Sequence, residues 1–315
     1  MKIRHLTNRA LDRPAYDACV SAAPNGIIYG LSWWLDVVSP GWEVLVWEGE
    51  AGNYRAVLPI PVRRQFGVRF VQQPLFCQFL AIFSVETLGP IEHGAFLDAL
   101  QKQVRFVARF CLTELSTEEV EAVKIRQTHL LGLTRPYETI RAGYNADRKL
   151  NLKRAEQAGW EIIQSHEIGT LIQFFRENHE HQIAGGTAQW AYPMLERLFA
   201  GAERRGYSTL WYASKNGQVE AGAWIVTWKN RAIYLFNAAT PLGRQGNGRT
   251  FLLDQFFREN AGKELTFDFE SPEIRPITEF YQSFGAKSTP FFELSYNHLP
   301  GWVNALWRVK QFLTR

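Results

Sequence analysis

The sequence predicts a mixed α/β (α+β) fold built from two similar halves. In each half, strand-like apolar runs precede a stretch whose apolar residues recur at helical spacing. The 315 residues are 46% hydrophobic and 21% charged, the balance of a packed globular chain and not of a disordered or fibrous one. We therefore predict a first half over residues 1–138, a second half over 139–298, and an amphipathic terminal helix over 299–315.

In the first half, the clearest element is a hairpin. Apolar runs at residues 43–47 and 54–60 flank a turn that holds two glycines. Strand-like residues follow between 70 and 83, and the spacing of Phe96 and its apolar neighbours predicts a helix over 96–110. The predicted order is therefore strands followed by a helix.

The second half repeats this order and extends it. The predicted elements are strands over 208–213, 219–228 and 232–237, a helix over 250–260, a strand over 265–270, a helix over 276–284 and a strand over 291–296. A glycine-rich loop precedes the first of these helices. Between the halves, residues 141–160 hold a short basic helical segment that begins near Tyr144.

The net charge and the cysteines narrow the class of protein. The 35 Lys and Arg residues against 31 Asp and Glu give a net charge of +4, too small an excess for a surface that tracks a DNA backbone. Cys19, Cys77 and Cys111 are odd in number and far apart, which argues against a disulfide framework and a zinc site. We therefore expect no metal, no DNA partner, and a cytoplasmic chain without an export signal or a membrane-spanning helix.

Basic residues crowd the segment between the halves. Arg148, Lys149 and Lys153 lie on one short helix, where Lys149 and Lys153 share a face and repel each other. A bound anion would offset this repulsion. The alternative is a solvated basic face that Asp147 and Glu156 balance in part.

The glycine-rich loop over residues 240–250 follows a strand and opens a helix. Glycines allow a tight turn with several amides close to a ligand, and the start of a helix carries about half a positive charge. The loop therefore suits a pyrophosphate, which Arg244 and Arg249 would hold more strongly. The alternative is an ordinary flexible turn, because the loop lacks the Lys-Ser/Thr end of a nucleoside-triphosphate loop and the spacing of the dinucleotide fingerprint.

Two acidic residues alternate with two phenylalanines after this loop. On a strand, Phe267 and Phe269 would enter the core, while Asp268 and Glu270 would share the other face roughly 6.6 Å apart. Such a pair could hold an amine, and mutual repulsion would raise the pKa of one carboxyl toward that of a useful general base. The alternative is a solvent-facing edge.

Tyr281 lies four residues before Gly285, a spacing that predicts a helix end capped by glycine. A phenol at this position, beside the preceding strand, could donate a proton to a departing thiolate or alkoxide. A tyrosine at helical spacing also fits plain core packing.

The order of strand, glycine loop, helix, strand and helix with Tyr-x-x-x-Gly resembles the GNAT (acyl-CoA N-acyltransferase) fold. Gly246 and Gly248 fit the end of that family's pyrophosphate loop. At the position where the family's loop begins with Gln or Arg, this chain has Gly243. A closer similarity, to the Fem-like branch and its bacterial BioF2-like acetyltransferase domain, covers Tyr144-Asn145 and residues 148–155, 267–270 and 280–285. The resemblance implies tandem GNAT-like domains with mixed, mostly antiparallel central sheets flanked by helices, and an active site in the second half.

The resemblance also implies direct transfer of an acyl group from acyl-CoA or a related donor to an amine, without a permanently bound cofactor. In this interpretation Glu270 or Asp268 receives the amine or its proton, and Tyr281 protonates the leaving group. The residues that would hold the donor are Arg244, Gly246, Asn247, Gly248 and Arg249. The residues that would contact an anionic substrate or the acceptor are Arg148, Lys149, Lys153, Trp190 and Tyr192.

Two alternatives stay open. In the Fem enzymes the donor is an aminoacyl-tRNA and the acceptor is a cell-wall precursor. Here Ser271-Pro272 replaces the Gly-Ser of that family, and residues 168–205 show no heptads for its long helical arm, so tRNA is disfavoured as a partner. The second alternative is a GNAT-like scaffold that binds a ligand without catalysis.

The segment between the basic helix and the first strand of the second half carries two weaker signals. His179 and His181 are two residues apart, so on a helix they diverge and do not form a metal site. The loop over 183–187 precedes Trp190 and could close over an acceptor.

The terminal helix over 299–315 is amphipathic. One stripe of this helix holds Trp302, Leu306, Val309 and Leu313. The stripe predicts docking on the body of the protein. Peripheral contact with an anionic membrane is the alternative, because the basic residues of the tail are not balanced by acidic ones.

Overall fold

The structure is a computed structural model that describes residues 1–49, 52–115, 123–180, 189–304 and 307. The chain forms two compact units. Unit 1 comprises Met1–Arg126 and Pro290–Arg315, and unit 2 comprises Gln127–Thr289. These bounds differ from the predicted 1–138, 139–298 and 299–315. A strand that lies before residue 138 already belongs to unit 2, and residues from 290 onward pair with a strand of unit 1.

The helices and strands of the described residues follow one another along the whole chain. The helices are α1 (Arg13–Ala22), α2 (Ser32–Val38), α3 (Pro90–Gln103), α4 (Tyr137–Ala142), α5 (Ala146–Gln157), α6 (Gly169–Asn178), α7 (Ala191–Glu203), α8 (Pro241–Gln245), α9 (Gly248–Asn260) and α10 (Arg275–Gln282), with a short 3-10 turn at Ile28–Gly30. The strands are β1 (Ile3–Thr7), β2 (Glu43–Glu48), β3 (Tyr54–Ile60), β4 (Val62–Gln65), β5 (Val68–Gln72), β6 (Phe83–Ser84), β7 (Phe106–Leu112), β8 (Val123–Gly132), β9 (Glu161–Gln164), β10 (Ser208–Lys215), β11 (Gln218–Trp228), β12 (Arg231–Ala239), β13 (Thr266–Asp268) and β14 (Lys287–Asn297).

Unit 1 holds two groups of paired strands. The first is antiparallel in the order β1, β2, β3, β6, and the predicted hairpin is confirmed as β2 and β3. In the second group β5 pairs with β4 and β7, and β7 also pairs with β14. The helix predicted over 96–110 is wrong in its second part, because α3 ends at Gln103 and the aromatic and β-branched residues from Phe106 form β7.

The sheet of unit 2 has the strand order β8, β13, β12, β11, β10, β9. Neighbouring strands in this sheet run antiparallel, except that β12 and β13 run parallel. A parallel pair needs a crossover connection, and α9 supplies it between these two strands. The result is a mixed, mostly antiparallel sheet, as the resemblance noted in the sequence implies.

Helices cover both faces of this sheet. Ala223 and Ile225 of β11 belong to the same buried cluster as Phe256 and other residues of α9. Trp224, between them, packs edge-on against Phe199 of α7, with ring centres 5.4 Å apart. Because successive side chains of a strand point to opposite faces, α9 and α7 lie on opposite sides of the sheet.

The cluster beneath α9 is rich in aromatic rings, and Phe267 lies at its centre. This fully buried side chain contacts the rings of Tyr234, Phe256, Phe257 and Phe269 at centre distances of 4.9 to 6.0 Å. Phe269 is buried as well. The prediction that Phe267 and Phe269 enter the core is therefore confirmed.

Residues 301–304 of the tail are helical, and the tail belongs to unit 1. Leu299, Val303 and Trp307 pack against a small cluster that contains Phe70 and Phe106. Trp302 is 70% exposed. The other predicted members of its stripe, Leu306, Val309 and Leu313, lie outside the described residues. No helix within the described ranges is both long and apolar enough to cross a membrane.

Replacing Phe267 with Ala should lower the free energy of unfolding by about 3–5 kcal/mol, because it removes a fully buried ring and leaves a cavity. Urea unfolding followed by circular dichroism measures this loss. Leu150→Ala, at an exposed position of α5, is the matched control and should change stability by no more than about 0.5 kcal/mol. Equal losses in the two variants would contradict the assignment of Phe267 to the core.

Candidate active site

The site lies in unit 2, where β12 and β13 run side by side and α9 and α10 follow them. Tyr234 belongs to β12, Arg249 is the second residue of α9, and Tyr281 belongs to α10. The rings of Tyr234 and Tyr281 meet edge-on, with their centres 6.3 Å apart. The charges of Arg249 and Glu270 both act on the Tyr281 hydroxyl. We call Tyr234, Arg249, Glu270 and Tyr281 the tyrosine group.

Tyr281 is buried, and its ring stacks on that of Phe269 with 4.6 Å between ring centres. Burial raises the pKa of the phenol well above its ordinary value, with a smaller contribution from Tyr234 in the same direction and an opposing one from Arg249. The hydroxyl therefore keeps its proton at neutral and mildly alkaline pH. Tyr281 can donate a proton or a hydrogen bond under these conditions, and it cannot serve as a base.

Tyr234 is a member of the group that the sequence analysis missed. Its side chain is buried, and its hydroxyl has no hydrogen-bond partner among the described residues. A buried polar group left in this state costs about 1–3 kcal/mol, which a bound ligand or water would offset. In a sequence, a tyrosine within a predicted strand is interpreted as a core residue. Only the position of Tyr234, in the strand that leads into the glycine loop, could have identified it as a site residue.

Asp268 and Glu270 do not share a strand face, contrary to the prediction. β13 ends at Asp268, and Glu270 has a left-handed backbone with a φ of 49°. The reason is local: Oδ1 of the buried Asp268 accepts a hydrogen bond from the Glu270 N–H at 3.0 Å, which turns the chain out of the strand. The same oxygen accepts from the Thr128 hydroxyl at 2.9 Å, and Oδ2 lies 3.2 Å from Nε of Arg231. Asp268 thus fixes the turn that carries Glu270.

Two of the glycines in the loop serve close packing. A Cβ at Gly243 would lie 2.0 Å from the carbonyl oxygen of Glu220 on β11, and one at Gly246 would lie 2.3 Å from the indole ring of Trp160. Both contacts are far shorter than any real carbon contact. Packing alone therefore accounts for these two positions.

The first turn of α9 is the part of the loop that suits an anion. Asn247 precedes the helix with a left-handed φ of 56°, and its side chain does not cap the helix. The amides that follow, beginning with the buried Gly248, have no partner within the helix. Arg249 reaches back to donate to Oδ1 of Asn237 on β12 at 3.0 Å. Arg244 is exposed and donates instead to the last carbonyl of β12 at 3.2 Å.

The basic helix begins where the sequence predicts. The side chain of Asn145 caps α5 by accepting from the Arg148 N–H at 2.8 Å. Of the three predicted basic contacts, Arg148 is buried, whereas Lys149 and Lys153 are exposed. The ammonium of Lys149 donates to the carbonyl of Ala142 at 2.9 Å. The three cations therefore do not form one patch.

Trp190 and Tyr192 lie apart from the tyrosine group. Trp190 is 51% exposed and directly precedes α7, while Tyr192 is buried on α7 with the guanidinium of Arg176 4.9 Å from its ring centre. α7 lies on the face of the sheet opposite to α9. His181 and the predicted closing loop over 183–187 are outside the described residues.

Asp254 is a second residue that the sequence analysis missed. It is fully buried on α9, and its carboxylate accepts hydrogen bonds from the hydroxyls of Tyr137 at 2.8 Å and Tyr144 at 2.9 Å. Burial raises the pKa of this carboxyl, and the two tyrosine bonds oppose that rise. The network fastens α4 and the start of α5 to α9. It carries no sequence signal, because its members are far apart in the chain.

His129 is buried on β8, the strand that pairs with β13 and therefore lies beside Asp268. Its Nε2 is 3.2 Å from the side-chain nitrogen of Gln282, and its Nδ1 has no hydrogen-bond partner in the part of the chain that the structure describes. Burial lowers the pKa of this imidazole, although the charge of Asp268 acts in the opposite direction. Within the same described ranges, no group of three His, Cys, Asp or Glu side chains is arranged to hold a metal ion.

We expect the protein to lose stability as the pH falls below about 6.5, the ordinary pKa of histidine, in part because of His129. The unfolded chain takes up a proton there that the buried imidazole does not, so acid favours unfolding until the lower pKa of the folded state is reached. His129→Gln should therefore flatten the decline in the free energy of unfolding between about pH 7 and 5. His93→Gln, in α3 of unit 1, is the control. An identical decline in wild type and His129→Gln would refute the expectation.

Comparison with known proteins gives a family match and several similar folds. Residues 144–272 match the family described as acetyltransferase (GNAT) domain. No curated protein matches the sequence. Among solved structures, the crystal structure of FemX is similar with a TM-score of 0.66 and 12% identity, over 98% of this chain and 99% of that one.

Two further solved structures are similar over almost their whole length. One is a tandem GNAT protein from the clavulanic acid biosynthesis pathway, with a TM-score of 0.51 and 11% identity over 95% of this chain and 100% of that one. The other is a GNAT acetyltransferase from Colwellia psychrerythraea, with a TM-score of 0.54 and 12% identity over 94% of this chain and 100% of that one. The chain therefore has the tandem, Fem-like GNAT fold, and the segment that matches the GNAT acetyltransferase domain lies within its second unit.

Proposed function

We propose that the protein is an acyltransferase that moves an acyl group from acyl-CoA to an amine in unit 2. The tyrosine group carries this proposal. It joins a phenol on α10 that keeps its proton, a guanidinium from the first turn of α9 and a carboxylate that follows β13. Tyr234, Arg249 and Glu270 lie within the segment that matches a GNAT acetyltransferase domain. An acid for the leaving group, a cation for the donor phosphates and a base for the amine are the groups that such a transfer uses.

The donor would bind through its phosphates at the start of α9. The first-turn amides after Gly246 and Asn247 point out of the helix end, and the helix dipole favours negative charge there. Arg249 adds a guanidinium from within the same turn, with Arg244 farther out on the loop. GNAT proteins typically use acyl-CoA as a co-substrate, which fits this arrangement and requires no permanently bound group.

The transfer itself would proceed without a covalent enzyme intermediate. The amine nitrogen forms a bond to the acyl carbon, the carbon–sulfur bond breaks, and the electron pair of that bond leaves with sulfur. The hydroxyl of Tyr281 gives its proton to the thiolate, and a proton from the amine passes to Glu270. Transfer of that proton to Tyr281 restores both side chains, so the products are an amide and a thiol. Correct placement of the two reactants supplies much of the rate.

Asp268 has a different part in this proposal from the one that the sequence suggested. It is fully buried and holds the Glu270 N–H, so we assign it as a positioning residue for Glu270 and not as the base. Glu270 is half-buried and its charge acts on the Tyr281 hydroxyl, which supports our assignment of Glu270 as the carboxylate that meets the amine.

An aminoacyl-tRNA donor is the second candidate. The fold shared with FemX supports it, and so do Lys149, Lys153 and Arg154, which are exposed along α5 and could contact a nucleic-acid backbone. The donor site at α9 would then receive the terminal nucleotide.

For the compartment we propose the reducing cytoplasm, because Cys19 and Cys111 are buried free thiols.

Calorimetric titration of the full chain distinguishes the two donors. Acetyl-CoA and longer acyl-CoAs should bind saturably, whereas charged tRNA should bind weakly and lose affinity steeply with salt. Tight, salt-sensitive binding of charged tRNA without binding of any acyl-CoA would replace the first donor with the second. Binding of neither ligand would favour a scaffold without transfer activity.

With a donor identified, Tyr281→Phe should lower kcat by about 10²- to 10⁴-fold, because the leaving thiolate loses its acid. Glu270→Gln should lower kcat by a similar factor and leave donor affinity unchanged. Thiol release in the presence of a panel of amines measures both effects. Tyr207→Phe, just before β10 and away from the tyrosine group, is the control. Full turnover in both Tyr281→Phe and Glu270→Gln would exclude these catalytic roles.

A further inference from the structure

Tyr234 is a buried tyrosine whose hydroxyl has no hydrogen-bond partner among the described residues. Only 3% of the residue is exposed, and the hydroxyl oxygen itself is fully enclosed. Its ring is surrounded by the rings of Phe267, Phe269 and Tyr281, with centres 6.0, 6.5 and 6.3 Å away. Buried polar groups in folded proteins are almost always hydrogen-bonded. Phenylalanine would serve the packing of this core equally well, so packing does not explain the hydroxyl.

The position of Tyr234 on β12 is the point where two strands separate. The last residues that pair between β12 and β13 are Ile233 and Asp268. Tyr234 is the next residue of β12, which continues to Ala239, whereas the chain beyond β13 turns at Glu270. Beyond Tyr234, this side of β12 therefore has no strand partner in the described ranges. The tyrosine lies at the inner end of the opening between the two strands.

The charge around Tyr234 suits a hydrogen-bond donor and not a base. Burial raises the pKa of this phenol well above its ordinary value, although the charge of Arg249 opposes the rise. The guanidinium of Arg249 donates to Oδ1 of Asn237, which lies three residues beyond Tyr234 on the same strand. The same charge acts on the hydroxyl of Tyr281. Two protonated phenols, one from β12 and one from α10, therefore share the field of one cation.

We propose that Tyr234 is a further catalytic residue, whose hydroxyl donates a hydrogen bond to the carbonyl oxygen of the acyl group during transfer. This inference rests on the proposed function and deepens it. A thioester presents two atoms that accept protons or hydrogen bonds, the sulfur and the carbonyl oxygen. Tyr281 is assigned to the sulfur, so the carbonyl oxygen still requires a donor. Tyr234 provides that donor from β12.

The role of this donor follows from the chemistry of the transfer. Negative charge develops on the carbonyl oxygen as the amine nitrogen bonds to the acyl carbon. The carbon–oxygen double bond forms again when the carbon–sulfur bond breaks, so the charge is transient. Tyr234 keeps its proton throughout and donates only a hydrogen bond. A fixed donor in a site that excludes water stabilises such a charge strongly, and the positive charge of Arg249 acts in the same direction.

The first test uses the free protein and needs no ligand. An unpartnered buried hydroxyl destabilises the fold, so Tyr234→Phe should raise the midpoint of urea unfolding. Tyr212→Phe is the matched control, because the buried Tyr212 hydroxyl accepts from the Leu171 N–H at 3.1 Å and donates to the Glu167 carbonyl at 3.2 Å. This second variant should lower the midpoint. A midpoint that does not rise in Tyr234→Phe would overturn the proposal, because the hydroxyl would then have a partner within the protein.

The second test uses acetyl-CoA that is isotope-labelled at the carbonyl carbon and bound to the full chain. It needs neither an amine nor turnover. Infrared difference spectra measure the stretching frequency of the carbonyl group, which a hydrogen bond lowers. We expect a lower frequency in the wild type and in Tyr281→Phe than in Tyr234→Phe. Equal frequencies in the wild type and Tyr234→Phe would overturn the proposal, and absence of any acyl-CoA binding would overturn it together with the proposed donor.

Kinetics separate this inference from the proposed function. Tyr234→Phe should lower kcat by about 10²- to 10³-fold, the loss typical of removing one donor to an oxyanion, with a much smaller change in donor affinity. Tyr212→Phe should keep the kcat of the wild type. Full turnover in Tyr234→Phe would overturn the inference alone. A carbonyl frequency that depends on Tyr234, in a wild type that transfers the acyl group to no amine, would count against the proposed function alone.

Discussion

Three helices of unit 2 meet at the guanidinium of Arg148. A guanidinium has five N–H donors and does not lose its charge, so it can be buried only where other groups take the place of water. Here Thr250 of α9, Ser283 at the end of α10 and two rings of α10 provide those groups. The relative positions of α5, α9 and α10 depend on satisfying this one side chain. The placement of Arg249 and Tyr281, which those helices carry, follows from it.

The polar face of α9 explains why this arrangement is hard to foresee. Thr250, Asp254 and Arg258 follow one another at intervals of four residues, so they lie on one face of the helix. Thr250 accepts from Arg148, Asp254 accepts from Tyr137 and Tyr144, and Arg258 donates to Tyr137. In the sequence this spacing is that of a solvated face. Its partners come from α4 and α5, and no local pattern connects them to α9.

Elements governed by local spacing were predictable, and those governed by distant contacts were not. The hairpin of β2 and β3, the helix α9 and the cap of α5 all follow from neighbouring residues. The strand expected to reach Glu270 stops at Asp268, because a side chain of the strand binds the amide of Glu270. The family-like motifs pointed to Arg249 and Tyr281. Tyr234 could not be found, since a tyrosine on a buried strand looks like any other core residue.

The division of the chain into units has a consequence for protein synthesis. Unit 2 is one continuous segment, whereas unit 1 needs both residues 1–126 and residues 290–315. The pairing of Phe292 with Leu112, on β14 and β7, cannot form until the ribosome has passed residue 290. The unit that comes second in the sequence is thus the first whose residues have all left the ribosome. Domains generally fold as units during synthesis, so β7 must wait for its last partner while unit 2 folds.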